Sequence, residues 1–209
     1  WHFPIRYEDR SRLTPLNQLE SGKAALILAK VIKIQAGFRQ KAPLKIWVED
    51  DFGACEWVFF RFAEQYRARF KVGAYYLCYG IPSVSSGHWQ MAHPECRFQP
   101  ETTPLILPDR LTPVYSTQKG LSQSVVRSSI LWIVEHFLPT LPELLILPPS
   151  LNSHTFQEAM DRIHRPWVNA DQESILNRQH AICQRLIIEE FMVHHLTFLK
   201  ERESYKKQL

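Results

Sequence analysis

Between residues 24 and 98 the apolar positions come in short runs. The runs are rich in β-branched and aromatic residues and are broken by Gly, Pro and Asp. That is the pattern of strands. It predicts strands over Ala24–Gln35, Leu44–Glu49, Cys55–Phe62, Ala74–Gly80 and Trp89–Phe98, with a helical stretch at Ala63–Phe70 between the third and the fourth. Asp50-Asp51-Phe52-Gly53 supplies the turn chemistry between the second and third strands. Five strands within about 80 residues, with a helix after the third, match a five-stranded OB-fold β-barrel.

Beyond residue 105 the period changes. Pro100, Pro104, Pro108 and Pro113 keep the chain extended and break any helix, which reads as a linker. Ser122 is placed to cap a helix running to about Phe137, and Pro139, Pro142, Pro148 and Pro149 break the next stretch of chain. Thr155-Phe156-Gln157-Glu158 is a capping box opening a short helix to about His164, which Pro166 ends. A final helix is expected to start after Asn169 or Asp171. Ile175, Ile182, Leu186, Phe191 and Phe198 form its apolar stripe, and charged residues from Lys200 fray or lead onward. The expected organisation is mixed β then α. A barrel with an N-terminal extension occupies residues 1–105, a linker 106–121, and a helical region with a long C-terminal helix 122–209.

Composition narrows the function classes without naming one. The 209 residues are 45% hydrophobic and 22% charged, an ordinary globular balance, and the net charge of +4 permits an anionic partner without demanding one. No apolar run approaches the roughly 20 residues of a membrane helix, and Trp1-His2-Phe3-Pro4 lacks the basic start and apolar core of a signal peptide. Cys55, Cys78, Cys96 and Cys183 include no C-x-x-C pair. Neither a zinc site nor a disulfide framework is suggested, and free thiols fit a reducing cytoplasm. His93 and Cys96 find no second pair of metal ligands.

The densest aromatic stretch is Glu56-Trp57-Val58-Phe59-Phe60-Arg61-Phe62. In a strand Val58, Phe60 and Phe62 share one face while Trp57, Phe59 and Arg61 share the other, and a small barrel buries only one set inside. With Trp57, Phe59 and Arg61 outward, the strip is of the kind on which OB-folds stack bases and neutralise phosphate. Tyr66, Arg67, Arg69 and Lys71 come next, and Lys23, Lys30, Lys33, Arg39, Lys41 and Lys45 lie on the first strands and their hairpin. Basic and aromatic residues thus interleave.

Catalytic signals are weak. Neither G-x-x-x-x-G-K-[ST] nor G-x-G-x-x-G occurs, and seven glycines leave little material for a nucleotide-cradling loop. His194 and His195 are helix neighbours about 100° apart, a poor metal pair. Arg185 and Glu189 are spaced for a weak helical ion pair.

Several stretches resemble, in order, the region before the motor in RecG-family helicases. Phe3-Pro4-Ile5-Arg6-Tyr7-Glu8-Asp9-Arg10 resembles the family's opening L-P-x-R-Y-E-D-R, and Trp57–Phe62 falls where the family has R-F-F-x-F. His93-Pro94-Glu95 matches its H-P-E. Leu111-Thr112-Pro113-Val114-Tyr115 and Lys119-Gly120-Leu121-Ser122-Gln123 resemble its L-T-P-V-Y-P-T-T-E-G-L-S-Q. Ile163-His164-Arg165-Pro166 matches L-H-R-P. Gln179-His180, Arg185-Leu186 and Glu189-Glu190 resemble G-x-H-P-A-x-x-R-L-x-x-E-E-L. Three positions depart from the pattern. The hairpin Ser83–His88 lacks the basic residues of many relatives, Ser116 replaces a proline, and Lys119 replaces an acidic residue.

The resemblance implies the OB-fold wedge of an ATP-dependent DNA helicase, binding stalled replication forks and Holliday junctions in DNA repair and recombination. It implies a cytoplasmic monomer whose own C-terminal motor domains hold ATP and Mg²⁺, while this chain binds no cofactor, metal or membrane and does not catalyse alone. The expected DNA-binding residues are Trp57, Phe59, Phe60, Arg61, Phe62, Tyr66, Arg67, Arg69, Lys33, Arg39, Lys41 and His88. Two other readings fit the sequence: a stand-alone OB-fold that binds single-stranded nucleic acid, and a protein-interaction module that buries Trp57 and Phe59 against another chain.

Overall fold

Leu44, Ile46 and Val48 alternate with Lys45, Trp47 and Glu49, and this period of two decides how the β-part is built. In the computed structural model, which describes residues 2–36, 42–60, 66–149, 151 and 154–208, the first three are fully buried. They lie on β3 (Leu44–Asp50), between β2 (Ala25–Ala36) and β4 (Gly53–Phe59). Asp50 makes the β3–β4 turn. Its Oδ1 accepts from the backbone N–H groups of Phe52 and Gly53, and its Oδ2 accepts from that of Leu16.

The order β6-β7-β4-β3-β2-β5-β8 is completed by β5 (Tyr75–Gly80), β6 (Pro82–Ser85), β7 (His88–Ala92) and β8 (Glu95–Gln99). β7 runs parallel to β4, and β8 pairs antiparallel with β5 at the far side of the sheet. Only His93 and Pro94 separate β7 from β8, and two residues cannot span a flat sheet. The sheet therefore closes into a barrel, with β7 and β8 as two halves of one bent strand. The five-strand reading holds in this form: the expected run Trp89–Phe98 is divided at the bend, and β6 is added through the turn at Ser86 and Gly87, both with positive φ. At the closure Gly80 packs so tightly that a Cβ there would meet Pro94 Cβ at 3.2 Å. The core holds Ile27, Ala29, Val31, Leu44, Ile46, Val48, Cys55, Trp57, Phe59, Tyr76 and Met91.

Cys78 and Cys96 face each other across β5 and β8 and are paired as a disulfide, while Cys55 and Cys183 are free and buried. This corrects the expectation of four free thiols. Sequence spacing gave no sign of the pairing, because strand register, not separation along the chain, brings the two together.

The barrel unit is Arg10–Pro108, and the second unit joins Trp1–Asp9 to Asp109–Leu209. The first nine residues thus belong with the helices and not, as expected, with the barrel. Part of the expected linker is also ordered: β1 (Arg6–Glu8) pairs antiparallel with β9 (Thr112–Val114). Tyr7 from β1 is buried and donates its hydroxyl to the Ile163 carbonyl at 2.7 Å.

α1 (Gln123–His136) is capped by Ser122, and α2 (Phe156–His164) by Thr155 with the reciprocal Glu158 contact, as their sequences predict. The single last helix expected from the apolar stripe is instead two. α3 (Gln172–Leu176) starts at Asp171, the chain turns through Arg178 with φ of 60°, and α4 (Ala181–Gln208) comes after the turn. Ile175, Ile182 and Leu186 are buried with Tyr7, Leu111 and Ile163, whereas Phe191 and Phe198 are exposed. Among the described residues no helix is long and apolar enough to cross a membrane.

Candidate nucleic-acid interface

Register along β3 and β4 settles which aromatics face outward. Leu44 lies opposite Phe59, Ile46 opposite Trp57 and Val48 opposite Cys55. Residues directly opposed in a ladder share a face. The buried alternation of β3 therefore carries Trp57 and Phe59 inside, and both are 0% exposed. This overturns the outward strip of Trp57 and Phe59: neither ring reaches a ligand from the barrel interior. Phe59 instead plugs one end of the core. It stacks on Tyr66 at 4.2 Å, tilts against Phe70 at 5.7 Å and meets His93 edge-on at 5.7 Å.

Phe60, the next residue, points the other way and is 57% exposed. Its backbone N–H donates to Nε2 of His93 at 3.1 Å, and the two rings lie 5.7 Å apart. His93 is itself pinned: its N–H donates to the Val58 carbonyl at 2.9 Å, and its φ of 48° makes the β7–β8 bend. The His93-Pro94-Glu95 motif thus has a structural role, since the residue that bends the last strand also anchors the exposed ring.

Cations stand on the turn that carries Tyr66. Arg67 and Arg69 are exposed, Tyr66 is half-buried, and the Arg69 guanidinium lies 5.8 Å from the Tyr66 ring centre. Tyr76 fixes this turn from below. Its hydroxyl accepts from the Lys71 N–H at 3.0 Å and donates to the Arg69 carbonyl at 2.9 Å. Arg61, Phe62, Arg39 and Lys41 lie outside the described residues.

The outer face of β2, β3, β4 and β7 carries a second group. Lys33 is opposite Trp47, Trp47 opposite Glu56, and Glu56 opposite Gln90. Glu56 is 1% exposed, yet it binds Lys45 Nζ at 2.9 Å, Gln90 Nε2 at 2.6 Å and His88 Nε2 at 3.5 Å. Burial opposes its ionisation, but those hydrogen bonds and the Lys45 charge prevail and hold its pKa below the ordinary carboxylate range. His88, one of the expected contacts, is half-buried with its ring 4.9 Å from that of Trp47; Lys33, another, is exposed.

Sequence reasoning passed over Trp47, Glu56 and the anchoring role of His93. The first two were within reach. Lys45 and Glu49 mark the outer face of β3, so Trp47 between them belongs outside, and the same register puts Glu56 beside it. Elsewhere Arg185 proves to be no weak surface pair. It is 1% exposed and reaches Glu189 at 2.6 Å, Glu143, and the carbonyls of Leu145 and His154.

The RecG wedge domain family model matches residues 1–136. The chain is 32% identical over 209 residues to the ATP-dependent DNA helicase RecG of Pasteurella multocida, covering 97% of this chain and 29% of the relative. It is 30% identical over 211 residues to that of Escherichia coli K12, covering 99% and 30%. A solved structure of RecG bound to a three-way DNA junction shares the fold with a TM-score of 0.62 at 22% identity, over 99% of this chain and 28% of that one. The chain spans about 30% of the length of the curated relatives it matches. With a wedge-domain match over well more than half its residues, the chain belongs to the RecG wedge domain family.

Proposed function

We propose that this chain is the DNA-contacting wedge of a branched-DNA helicase, recognising stalled forks and Holliday junctions in repair and recombination. In this reading Phe60 is the ring set against a base at the branch point. Arg67 and Arg69 neutralise adjacent phosphates, and Lys33 and His88 extend the contact along the outer face. The carrying observation is an aromatic side chain held more than half exposed at the barrel rim, with its backbone fastened by His93. Exposed aromatic rings are the platforms on which unpaired bases stack, each worth about 1–3 kcal/mol. Support comes also from the family, and from a family member solved on a three-way junction.

ATP hydrolysis and strand separation belong, in this reading, to motor domains of the same polypeptide, where ATP and Mg²⁺ are held. This region acts as a cytoplasmic monomer that binds and does not unwind.

The test is a salt titration of affinity for a three-way junction against a blunt duplex of equal length. The expected result is tighter junction binding with a steep inverse salt dependence. Phe60→Ala is expected to weaken junction binding about 5- to 50-fold, while Lys206→Ala changes it less than about twofold, the usual reach of a single distant surface charge. Equal affinity for junction and duplex overturns the wedge role, and the reverse order of the two variants overturns the assignment of Phe60.

A further inference from the structure

Trp47 is an aromatic residue on the polar side of a strand. Its alternation partners Ile46 and Val48 fill the core, so the barrel does not need a ring there. Instead Trp47 is half-buried on the outer face, with His88 at 4.9 Å. Beneath the pair lies Glu56, a buried carboxylate that grips Lys45, Gln90 and His88 at once. Burying a carboxylate is costly unless donors surround it. Here its three donors are the side chains that frame the rings, so the carboxylate fixes Lys45 and His88 in place before any ligand arrives. Lys33 flanks Trp47 on β2 and is exposed, and Lys30 lies opposite Glu49 one step further on. Among the described residues, Glu49 is the other acidic group on this stretch of the face.

The strand that carries Glu56 ends at Phe59, and Phe60 is the next residue. Four residues of extended chain separate Glu56 and Phe60, about 13 Å. Trp47 sits beside Glu56 in the register, so Trp47 and Phe60 lie along the outer side of β3 and β4, with Lys33 and Lys45 on the same stretch. The spacing suits two nucleotide steps of an extended single strand.

We propose that Trp47 and His88 form a second stacking station, which holds an unpaired nucleotide of the single-stranded arm leaving the branch point. Lys33 and Lys45 take its phosphates, and Glu56 acts as a positioning residue. This rests on the wedge reading of Phe60 and adds to it the class of DNA arm that the outer face holds. Leu in place of Trp47 keeps apolar cover over the strand and removes the π-face. Trp47→Leu therefore separates stacking from packing.

The experiment compares three forms of the full chain (wild type, Trp47→Leu and Phe60→Ala) on two substrates. One is a fully duplex three-way junction; the other is a fork with a ten-nucleotide single-stranded arm. Trp47→Leu is expected to lower affinity for the tailed fork about five- to tenfold, the low end of base stacking for a half-buried ring. It should leave the duplex junction within twofold, and Phe60→Ala should lower both. An unchanged tailed fork with Trp47→Leu, while Phe60→Ala still weakens it, overturns the second station and leaves the wedge reading intact. Equal loss on both substrates also overturns it. Phe60→Ala without effect on either substrate removes the wedge reading, whatever Trp47 does. Should Trp47→Leu fail to fold, the wild-type chain decides through photo-cross-linking of 5-iododeoxyuridine placed at successive arm positions. A cross-link to the peptide containing Trp47 from the second or third nucleotide supports the station, and none from any position overturns it.

Discussion

The backbone N–H of Phe60 donates to Nε2 of His93, so the exposed ring at the barrel rim is set by the residue that bends the last strand. Removing the imidazole leaves Phe60 in place but frees its backbone. His93→Ala is expected to weaken three-way-junction binding about three- to tenfold and to lower stability by about 1 kcal/mol, the usual value of one hydrogen bond. Asn tolerates positive φ better than Ala, so His93→Asn is expected to lose less stability than His93→Ala and to recover none of the binding. Urea melts paired with binding titrations check both halves.

Phe59 and Phe60 are adjacent and do opposite work. Phe59→Ala empties a core site and is expected to cost about 3–5 kcal/mol. Phe60→Ala removes an exposed ring and is expected to alter stability by less than about 0.5 kcal/mol. Chemical denaturation followed by tryptophan fluorescence distinguishes them. A Phe59→Ala protein as stable as wild type contradicts the register described for β4.

That pair also marks how far the sequence could be read. The barrel, the capped helices and the ordered family motifs were legible because each depends on local pattern: alternation, capping chemistry, proline. The facing of β4 was not. Each of its two alternating sets pairs apolar residues with one charge, Trp57 and Phe59 with Arg61, and Val58 and Phe60 with Glu56, so periodicity within the strand cannot choose between them. The choice is made by β3, whose polar members Lys45 and Glu49 mark the outer face, and it passes across the ladder by register. The Cys78–Cys96 pairing and the bend at His93 share that dependence on partners distant in the chain. Arg185 was misread for a similar reason. Helical spacing shows Glu189 but not Glu143, which arrives from a loop.

His164 in the helical unit is 3% exposed, and its Nδ1 lies 2.9 Å from the Tyr115 hydroxyl. Burial, reinforced by the neighbouring His2, pushes its pKa down from 6.5 to about 4. Between those values the unfolded chain binds a proton that the folded chain refuses. Stability from this site is therefore complete above pH 6.5 and is lost as the pH falls towards 4, up to about 3 kcal/mol. Urea midpoints measured from about pH 7 down to about pH 4.5 are expected to fall, and His164→Gln to flatten that fall.

Arg185 is a buried cation shared by Glu143 and Glu189. Arg185→Leu takes the cation from both carboxylates, leaving Glu143 only the Phe156 N–H, and is expected to destabilise the helical unit by about 3–5 kcal/mol. A melting temperature unchanged from wild type would contradict the burial of the pair.

Cys55 is buried, and burial, with the nearby Glu56 charge, pushes its thiol pKa up to about 12. A thiol that stays protonated at about pH 8 is a poor nucleophile. The folded protein is expected to leave Cys55 unlabelled by a thiol reagent at that pH and to expose it in denaturant, which mass spectrometry of the modified peptide reads directly.

Glu8 and Thr112 are paired across the short ladder of β1 and β9. The polypeptide therefore departs from the helical unit just after one of these strands and returns just before the other. The barrel is in effect an insert, spliced into a host whose two cut ends are already stitched together. Replacing residues 10–108 by a short turn should leave the host able to fold, with Tyr7 still bonded to Ile163. Other barrels could then be grafted at the same seam.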